Sequence, residues 1–386
     1  MTSAPPIHLP TEIVIHILSE VTAADEFTRQ KTLHACCLVS RQWYTCAITL
    51  LWEKPRIGSG SSFSKFTNTI SPPIGVRKSK WNLGALVHKL DLSSLVHHSS
   101  PSLTARLLGR VKENLEVFVA PRASFASNSL PALAKCSKLR YLDLSLVATP
   151  IPFRDLKRSL SNLPNLQTLR LPQSTSITNS DSCAVPWPPH LRRLQFSGHF
   201  SADAIRSFRW PTSLTSLTLK NCSDLSLPNI SSLMCSPDLN RTLKRLTISG
   251  LNRRLSPESI TSILALIPAL SFLSVPGDMV DSTFLDLLCH IGIPTLEVLE
   301  FGYPNLDPTI YFATDSLVRA LEFGLEKVYA VGFAETFVSD DGMLDDDAVD
   351  EFLLNRTKLR KSLPVPTDVP VANQPTFSIQ PGVYYI

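Results

Sequence analysis

Basic and aromatic residues occur at outward positions of a repeated short motif, and these side chains are the best placed to do chemistry. Arg170, Arg193, Lys220 and Arg245 occupy outward positions in four successive copies of the motif. Arginine pairs with phosphate or carboxylate through two hydrogen bonds, so the pattern is typical of a site for an acidic or phosphorylated protein partner. The alternative is that outward strand positions are polar in any such protein. The predicted substrate-binding residues are Arg170, Arg193, Lys220, Arg245, Phe272 and Tyr329.

Motifs that would indicate catalysis or metal binding are absent from the sequence. It has no G-x-S-x-G, no H-E-x-x-H and no phosphate-binding loop, and "GSGSS" at Gly58 lacks the lysine that such a loop needs. The pair His97–His98 has no further ligand at metal spacing, and the acidic residues around Gly342 fail the spacing of a calcium-binding loop. We therefore predict a protein that is not an enzyme, with no catalytic residue, no metal and no cofactor.

Composition and charge narrow the class of protein and its compartment. The 386 residues are 44% hydrophobic and 18% charged, which is typical of a folded globular protein. The net charge of +4 is too small to indicate nucleic-acid binding, and no stretch has the ~18 apolar residues of a membrane span. The 8 cysteines include no C-x-x-C pair, which predicts reduced thiols. Since no secretory signal is recognisable, the expected location is the cytoplasm, the nucleus or both.

A repeat of the form L-x-x-L-x-L organises most of the chain. Its copies include "LRYLDL" at Leu139, "LQTLRL" at Leu166, "LRRLQF" at Leu191 and "LTSLTL" at Leu214. Ten copies begin between positions 87 and 325. Their mean separation of about 26 residues falls within the ~20–29 residue period of leucine-rich repeats.

Each copy predicts a short strand followed by a returning helix. In "LRYLDLS", Leu142 and Leu144 should face the core while Asp143 faces outward. In "SPESITSILALI", Ser256 and Pro257 are typical of a helix start. Neither element buries its apolar side alone, so neighbouring repeats must stack into a solenoid. The predicted fold class is α/β, an irregular leucine-rich-repeat horseshoe of about ten repeats that follows a helical unit.

The turns after the strands predict the irregularity. Only "LTSLTLKNCSDL" keeps the full pattern, with Cys222 at the position where asparagine or cysteine is usual. Not all of the turns can therefore form the usual ladder of buried side-chain hydrogen bonds, and we expect loops of variable form. The corresponding position elsewhere holds Val147, Ser174, His199, Leu251, Asp278 and Pro304.

Residues 7–54 do not follow the repeat and predict three short helices. "LPTEIVIHILSEV" places Ile13 and Ile17 on one face of a helix that starts near Pro10. A polar stretch and a short apolar segment follow, and Ser40 is the expected N-cap of the third helix. A unit of this size has a thin core and usually needs a partner or an adjoining domain.

The sequence "LPTEIVIHIL…LVSRQWYTCAITLLW" resembles the F-box, whose pattern is Leu-Pro-x-Glu-(Ile/Leu) followed by Val-(Ser/Cys)-(Arg/Lys)-x-Trp. An F-box before leucine-rich repeats is a known arrangement. The segment 22–31 is longer than usual and leaves the start of the second helix undefined. The resemblance implies binding to the Skp adaptor and, through it, to a cullin. For Ile17 and Leu38, burial in the core of the three helices is an equal alternative to adaptor binding. The matching adaptor-binding positions are Leu9, Pro10, Ile13, Ile17, Leu38, Val39, Ser40 and Trp43.

Five segments follow from these patterns. The linker is rich in Ser, Gly and Pro, and the acids at the start and bases at the end of "DDDAVDEFLLNRTKLRK" suit a capping helix. The predicted segments are an F-box at 7–54, a linker or entry cap at 55–84, leucine-rich repeats at 85–338, a C-terminal capping helix at 339–362 and an extended Pro-rich tail at 363–386.

The function implied by the resemblance is that of a non-catalytic substrate receptor in a Skp–cullin–F-box ubiquitin ligase. The F-box would bind the adaptor, and the concave repeat face would bind a protein target, with neither nucleic acid nor membrane as a partner. Two alternatives stay open from the residues alone. One is a repeat scaffold without a ligase role, and the other is a receptor assisted by a small anion such as an inositol phosphate.

Overall fold

The chain forms two compact units, which are described separately. The first comprises Met1–Ser174 with Val185–His190, and the second comprises Thr175–Ala184 with Leu191–Ile386. His97–His98, the residues around Gly342 and most of the Pro-rich tail lie outside the described residues. The computed structural model describes residues 9–22, 25–72, 82–95, 101–178, 185–222, 225–250, 252, 254–267, 269–291, 295–306, 309, 311–337, 344–362 and 379–386.

The first unit begins with helices and continues as strand–helix repeats. The three helices predicted from sequence are α1 (Thr11–Thr22), α2 (Glu26–Cys37) and α3 (Arg41–Glu53), and a further helix, α4 (Gly60–Ile70), follows them. The strands β1 to β4 are parallel neighbours in chain order. The repeats consist of β1 (Lys89–Asp91), α5 (Pro101–Val111), β2 (Val117–Val119), α6 (Leu130–Leu133), β3 (Tyr141–Asp143), α7 (Phe153–Leu160) and β4 (Thr168–Arg170).

A small apolar core holds the first three helices together. Val14, Leu18, Leu33 and Ala47 are fully buried, and half-buried side chains from all three helices pack around them. The start of α2, which the sequence left undefined, is set by Asp25, whose carboxylate accepts hydrogen bonds from the Phe27 and Thr28 N–H groups. The hydroxyl of Ser40 accepts from the Trp43 N–H and caps α3, which confirms the predicted cap.

Helix α4 lies in the segment that the sequence predicts to be a linker or an entry cap. Ser59 and Ser62 form a capping box at its first turn. Phe63 and Phe66 are buried, and the ring of Trp52 stacks on that of Phe66 with the centroids 5.5 Å apart. The glycine, serine and proline content of the segment indicates a connection, but the two buried phenylalanines give it a packed helix.

The second unit is a run of parallel strands alternating with helices. The strands lie in the order β6-β8-β9-β10-β11-β12-β13, and β5 pairs separately with β7. Its elements are β5 (Ser176–Ile177), β6 (Arg193–Phe196), β7 (His199–Phe200), α8 (Ala202–Ser207), β8 (Ser216–Lys220), α9 (Leu227–Met234), α10 (Pro237–Thr242), β9 (Arg245–Ser249), α11 (Pro257–Leu266), β10 (Phe272–Pro276), α12 (Ser282–Ile291), β11 (Val298–Gly302), α13 (Thr314–Phe323), β12 (Ala330–Phe333), α14 (Asp346–Ser362) and β13 (Gly382–Tyr385).

The ten predicted motifs form strands, four in the first unit and six in the second. Leucines at alternate strand positions are buried, as in Leu217 and Leu219 of β8 and Leu246 of β9, while their neighbours face outward. Helix α11 begins at Pro257 with Ser256 as its N-cap, as predicted. The fold is that of leucine-rich repeats, in which parallel strands are joined by returning helices.

A hydrogen-bond ladder crosses the turns of the second unit. Asn252 Oδ1 accepts from the Cys222 N–H at 2.8 Å, and Asn305 Oδ1 accepts from the Asn252 N–H at 2.7 Å. Asp278 accepts from the Asn305 N–H at 2.8 Å. The repeat pattern assigns the places of Asn252 and Asn305 to Leu251 and Pro304, one residue too early in each case. Gly250 has a φ of 75°, and the turn at this residue directs the side chain of Asn252 inward.

The end of the Pro-rich tail corrects a second expectation. Residues 382–385 were expected to be extended tail, but they form β13, which pairs in parallel with β12. Gly382 has a φ of 114°, and a Cβ there would lie 2.4 Å from the Asp350 carboxylate, so glycine is required. The Val383 N–H donates to the same carboxylate at 2.7 Å. The tail therefore returns to the repeats and is held by the predicted capping helix, α14.

Candidate functional site

Several large apolar side chains are exposed on the first three helices and at their ends. We call Leu9, Ile13, Ile17, Leu38 and Val39 the N-terminal apolar face. Leu38 is 75% exposed and Val39 is 65% exposed, and the other three are also exposed. Groups of large apolar side chains in contact with water mark interaction sites more often than isolated ones do.

The local structure explains how these side chains come together. Ile13 and Ile17 are one turn apart on α1, whereas Val14 and Leu18 of the same helix face the core. The Gln42 side chain donates a 2.6 Å hydrogen bond to the carbonyl oxygen of Leu9. This bond holds Leu9 against the first turn of α3, which directly follows Leu38 and Val39.

The remaining predicted adaptor-binding residues differ in exposure. Pro10 and Ser40 are exposed, and Ser40 also caps α3. Trp43 is half-buried, because its ring packs against the helical core. Gln42 was not among the predicted residues, since a polar residue in a first turn carries no signal of a contact with a residue 33 positions away.

The second candidate surface lies on the strands of the second unit. Strand register puts Arg193 opposite Ser216, Ser216 opposite Arg245, and Arg245 opposite Phe272. Arg193, Lys220 and Arg245 are exposed. We call this surface, which carries Arg193, Lys220, Arg245, Glu300 and Tyr329, the outward strand face.

Arg245 and Phe272 form a stacked pair on this face. The Arg245 guanidinium carbon lies 3.8 Å from the centroid of the Phe272 ring, which is within the range of a cation–π contact. Burial lowers the pKa of the Arg245 guanidinium, and the nearby Glu300 carboxylate opposes that shift. The sequence predicts Phe272 as a contact residue, but its side chain is only 5% exposed. Its observed role is to support Arg245, and Tyr329 packs half-buried beside it.

The C-terminal strand adds a polar pair to the outward strand face. The Tyr384 hydroxyl donates a 2.6 Å hydrogen bond to Glu300 Oε1. Burial and this hydrogen bond raise the pKa of Tyr384 well above its ordinary value, so the hydroxyl stays protonated. Gly332 makes the approach possible, because a Cβ there would lie 2.8 Å from both the Tyr384 ring and the Glu300 side chain. The residues Val383, Tyr384 and Tyr385, which are of types common in strands, were the sequence signal for this strand.

Arg170, the remaining predicted substrate-binding residue, belongs to the first unit. Its guanidinium lies 3.1 Å from the Asp143 carboxylate and 5.8 Å from the Tyr141 ring centroid. Asp143, predicted to face outward, is only 6% exposed, because it also accepts hydrogen bonds from Ser145 at 2.9 and 2.6 Å. The charge of Arg170 is therefore already paired within the chain.

The described part of the chain shows no metal-binding cluster and no membrane-spanning helix. Over those residues, no group of three or more His, Cys, Asp or Glu side chains converges in a way that could hold a metal ion. No helix among them is long and apolar enough to cross a membrane.

Comparison with known proteins gives matches to the first unit and to longer parts of the chain. Residues 7–57 match the family described as F-box-like. F-box protein YDR306C of Saccharomyces cerevisiae is 32% identical over 197 residues, which are 51% of this chain and 40% of that protein. Protein pof5 of Schizosaccharomyces pombe is 27% identical over 319 residues, which are 82% of this chain and 87% of that protein. The chain thus spans less than half of the first relative and most of the second.

A solved structure with a similar course is a chain of the Rad7 and Elc1 complex in yeast. It is 14% identical, with a TM-score of 0.48 over 89% of this chain and 96% of that chain. The leucine-rich-repeat fold is assigned from the strands and helices of this chain and does not depend on that likeness. Residues 7–57 therefore form an F-box-like domain, and the repeats that follow it have the leucine-rich-repeat fold.

Proposed function

We propose that this protein is the substrate-recognition subunit of a Skp–cullin–F-box ubiquitin ligase. The N-terminal apolar face binds the Skp adaptor, which links the chain to a cullin, and the outward strand face binds a protein target. The observation that carries the proposal is the exposed apolar face on a helical unit that matches the F-box-like family. The two relatives, one of which is named as an F-box protein, support it.

Adaptor binding has a sufficient hydrophobic driving force on this face. Full burial of one exposed aliphatic side chain contributes about 1.5–3 kcal/mol. Leu9, Ile13, Ile17, Leu38 and Val39 together therefore supply enough apolar surface for a stable contact, with Pro10, Ser40 and Trp43 at its margin. The small core under these helices leaves no internal position for them.

The adaptor contact is tested by capture of purified Skp adaptor on the full chain. A variant with Leu9→Ala, Pro10→Ala and Ile13→Asp should lose the adaptor, since it places a charge within the apolar contact. The matched control is Ile15→Asp, because Ile15 is exposed on α1 but lies two residues from Ile13 and points elsewhere. Equal recovery of adaptor by the triple variant and the wild type would refute the proposal.

Target binding uses the exposed cations of the outward strand face. Arg193, Lys220 and Arg245 with Tyr329 contact an acidic or phosphorylated segment of the target, and Phe272 orients Arg245 from below. Arg170 is paired with Asp143 in the first unit and stays a separate prediction for that unit. The Arg193→Glu, Lys220→Glu variant should reduce the number of proteins that accumulate on the chain when the proteasome is inhibited.

The variant with Leu9→Ala, Pro10→Ala and Ile13→Asp keeps target binding but loses ubiquitination of the bound protein.

The contribution to the reaction is proximity. A receptor that holds a target near the ubiquitin-loaded enzyme raises the effective concentration of the target lysine without a catalytic group of its own. In a reconstituted ligase, ubiquitination should therefore depend on both faces. A scaffold without a ligase role would bind its partners and leave their ubiquitination unchanged.

An anion-assisted receptor is the second candidate, and one observation favours it. Arg193 and Arg245 lie in one register row with only Ser216 between them, two strand spacings or about 9.6 Å apart. A polyphosphate can span that separation and contact both guanidinium groups. Inositol hexakisphosphate should then raise the melting temperature of the wild type and not that of an Arg193→Glu, Arg245→Glu variant. No shift in the wild type excludes this candidate.

A further inference from the structure

A cleft lies in the first unit, at the end of α3 that is distant from Ser40. It has a volume of about 750 Å³ and is bounded by α2, the last turn of α3, residues 55–59 and α4. Helix α3 has 13 residues and therefore spans about 20 Å. None of Leu9, Ile13, Ile17, Leu38 and Val39 lines the cleft, so it is distinct from the N-terminal apolar face.

The charged groups that line the cleft are basic. Lys31, Arg56 and Lys65 lie around it together with His34, and no aspartate or glutamate is among its lining residues. Within the described residues, no carboxylate lies within 4.0 Å of these three cationic groups. The cleft therefore presents three positive charges that are not neutralised by direct ion pairs.

The acidic residues near the cleft are committed elsewhere. Glu26 pairs with Lys89 at 3.5 Å, and Glu53 pairs with Lys54 at 3.2 Å. The Asp25 carboxylate accepts two N–H groups at the start of α2, and its pKa is lowered chiefly by hydrogen bonding to Thr28, with a smaller contribution from the charge of Arg56.

The base of the cleft is aromatic. Trp52 and Phe66 stack with their ring planes 23° apart, and the Arg56 guanidinium carbon lies 5.2 Å from the centroid of the exposed Phe27 ring. The backbone N–H of Arg56 donates a hydrogen bond to Gln30 Oε1 at 2.5 Å, which holds this arginine at the edge of the cleft. Rings beside cations offer apolar contact and charge pairing in the same place.

We propose that this cleft binds a short acidic peptide segment of a partner protein, with an apolar or aromatic side chain on Trp52 and Phe66 and its acidic groups on Lys31, Arg56 and Lys65. The volume is in the range of about 300–1,000 Å³ that ligand sites occupy. A peptide is favoured over a nucleic acid, because three cations are fewer than the ~6–10 phosphate contacts of a typical nucleic-acid complex. This site is additional to the adaptor and target faces.

The test is binding of a fluorescent peptide to the full chain. The probe has one phenylalanine flanked by glutamates; a second peptide replaces the glutamates with phosphoserine, and a third with glutamine. The acidic peptides should bind the wild type, and the glutamine peptide should not. The Lys31→Glu, Lys65→Glu variant should bind on the order of tenfold or more weakly, because each reversal replaces an attraction with a repulsion.

The matched control is Lys135→Glu, Arg154→Glu, which makes the same change in net charge at two exposed positions of the first unit outside the cleft. It should bind the peptide within twofold of the wild type (about the precision of such a titration). Equal binding by the Lys31 and Lys65 variant, or no binding of either acidic peptide to the wild type, overturns the proposal. So does a short single-stranded oligonucleotide that binds more tightly than the peptides and is lost in the same variant.

Two cross-measurements separate this proposal from that of adaptor binding. The Lys31→Glu, Lys65→Glu variant should capture the Skp adaptor as the wild type does, and the variant at Leu9, Pro10 and Ile13 should keep the peptide. Displacement of the peptide by purified adaptor would place the cleft within the adaptor interface and overturn its assignment as a separate site. Thermal unfolding of each variant verifies that the first unit is folded.

Discussion

Asn252 and Asn305 exchange two hydrogen bonds across 53 positions of the chain. The Asn252 N–H donates to Asn305 Oδ1 at 2.7 Å, and Asn305 Nδ2 donates to the Asn252 carbonyl oxygen at 3.0 Å. Both side chains are nearly fully buried, and Asp278 accepts from the Asn305 and Leu306 N–H groups. Buried backbone groups in these turns do not bond to a neighbouring strand, and side chains from other repeats bond to them instead. These hydrogen bonds join the turns of the stacked repeats.

Replacement of Asn305 by leucine should destabilise the second unit. The change leaves the Asn252 N–H and carbonyl groups without these partners in a buried place, at a cost of about 1–3 kcal/mol for each unsatisfied group. The measurement is urea unfolding followed by circular dichroism. Asn355→Leu, on the exposed side of α14, is the control and should change the unfolding free energy little. Equal midpoints for the two variants would contradict the role of the ladder.

Replacement of Arg29 by methionine should destabilise the F-box helices. The Arg29 side chain is 7% exposed, and its guanidinium donates to the Leu50 carbonyl at 2.7 Å and the Lys54 carbonyl at 3.2 Å. These bonds to the end of α3 involve a charged donor and should contribute about 1.5–3 kcal/mol. Thermal unfolding and adaptor capture should both decline. Arg41→Met, at an exposed position of α3, is the control for stability and should unfold at the same temperature as the wild type.

Replacement of Gly382 by alanine should release β13 from the repeats. The residue has a φ of 114°, and a Cβ would collide with the Asp350 carboxylate. Hydrogen exchange of the amides of β12 should become faster, since their neighbouring strand is lost. Gly109→Ala is the control, because no atom lies within 4 Å of its added Cβ, and exchange of β12 should not change. Unaltered exchange in Gly382→Ala would show that the strand tolerates a side chain.

The attachment of β13 should weaken at alkaline pH. The hydrogen bond from Tyr385 to Asp346 raises the pKa of Tyr385 to about 12. A phenol whose pKa is raised in the folded chain stabilises it fully below the ordinary tyrosine pKa of about 10, and the contribution is lost as the pH rises through the folded value. In an ultraviolet titration, the Tyr385→Phe variant should have one fewer late-ionising tyrosine, that is, one with a pKa above the ordinary value, than the wild type. The same number of late-ionising tyrosines in the wild type and in Tyr385→Phe would contradict this.

The sequence was sufficient for the elements whose signals are local. Leu142, Leu217 and Leu246 recur in a motif whose alternation places them in the core whatever the neighbouring repeat contains. Ser40 and Ser256 precede helices that begin where these caps predict. The F-box positions Leu38 and Val39 were identified through the resemblance of a contiguous motif. The structure then showed that their side chains are exposed, which periodicity did not determine.

The tertiary structure decided the contacts between distant parts of the chain. The burial of Phe272 beneath Arg245 and the bond from Tyr384 to Glu300 depend on which strands are neighbours and in which register. The sequence by itself determined that repeats exist, which residues form their core and where helices start. Those features follow from the period of a strand or a helix, which a few adjacent residues reveal. The pairing of charges and the ladder through Asn305 require groups dozens of positions apart to be brought within about 3.1 Å, and only the packed chain does that.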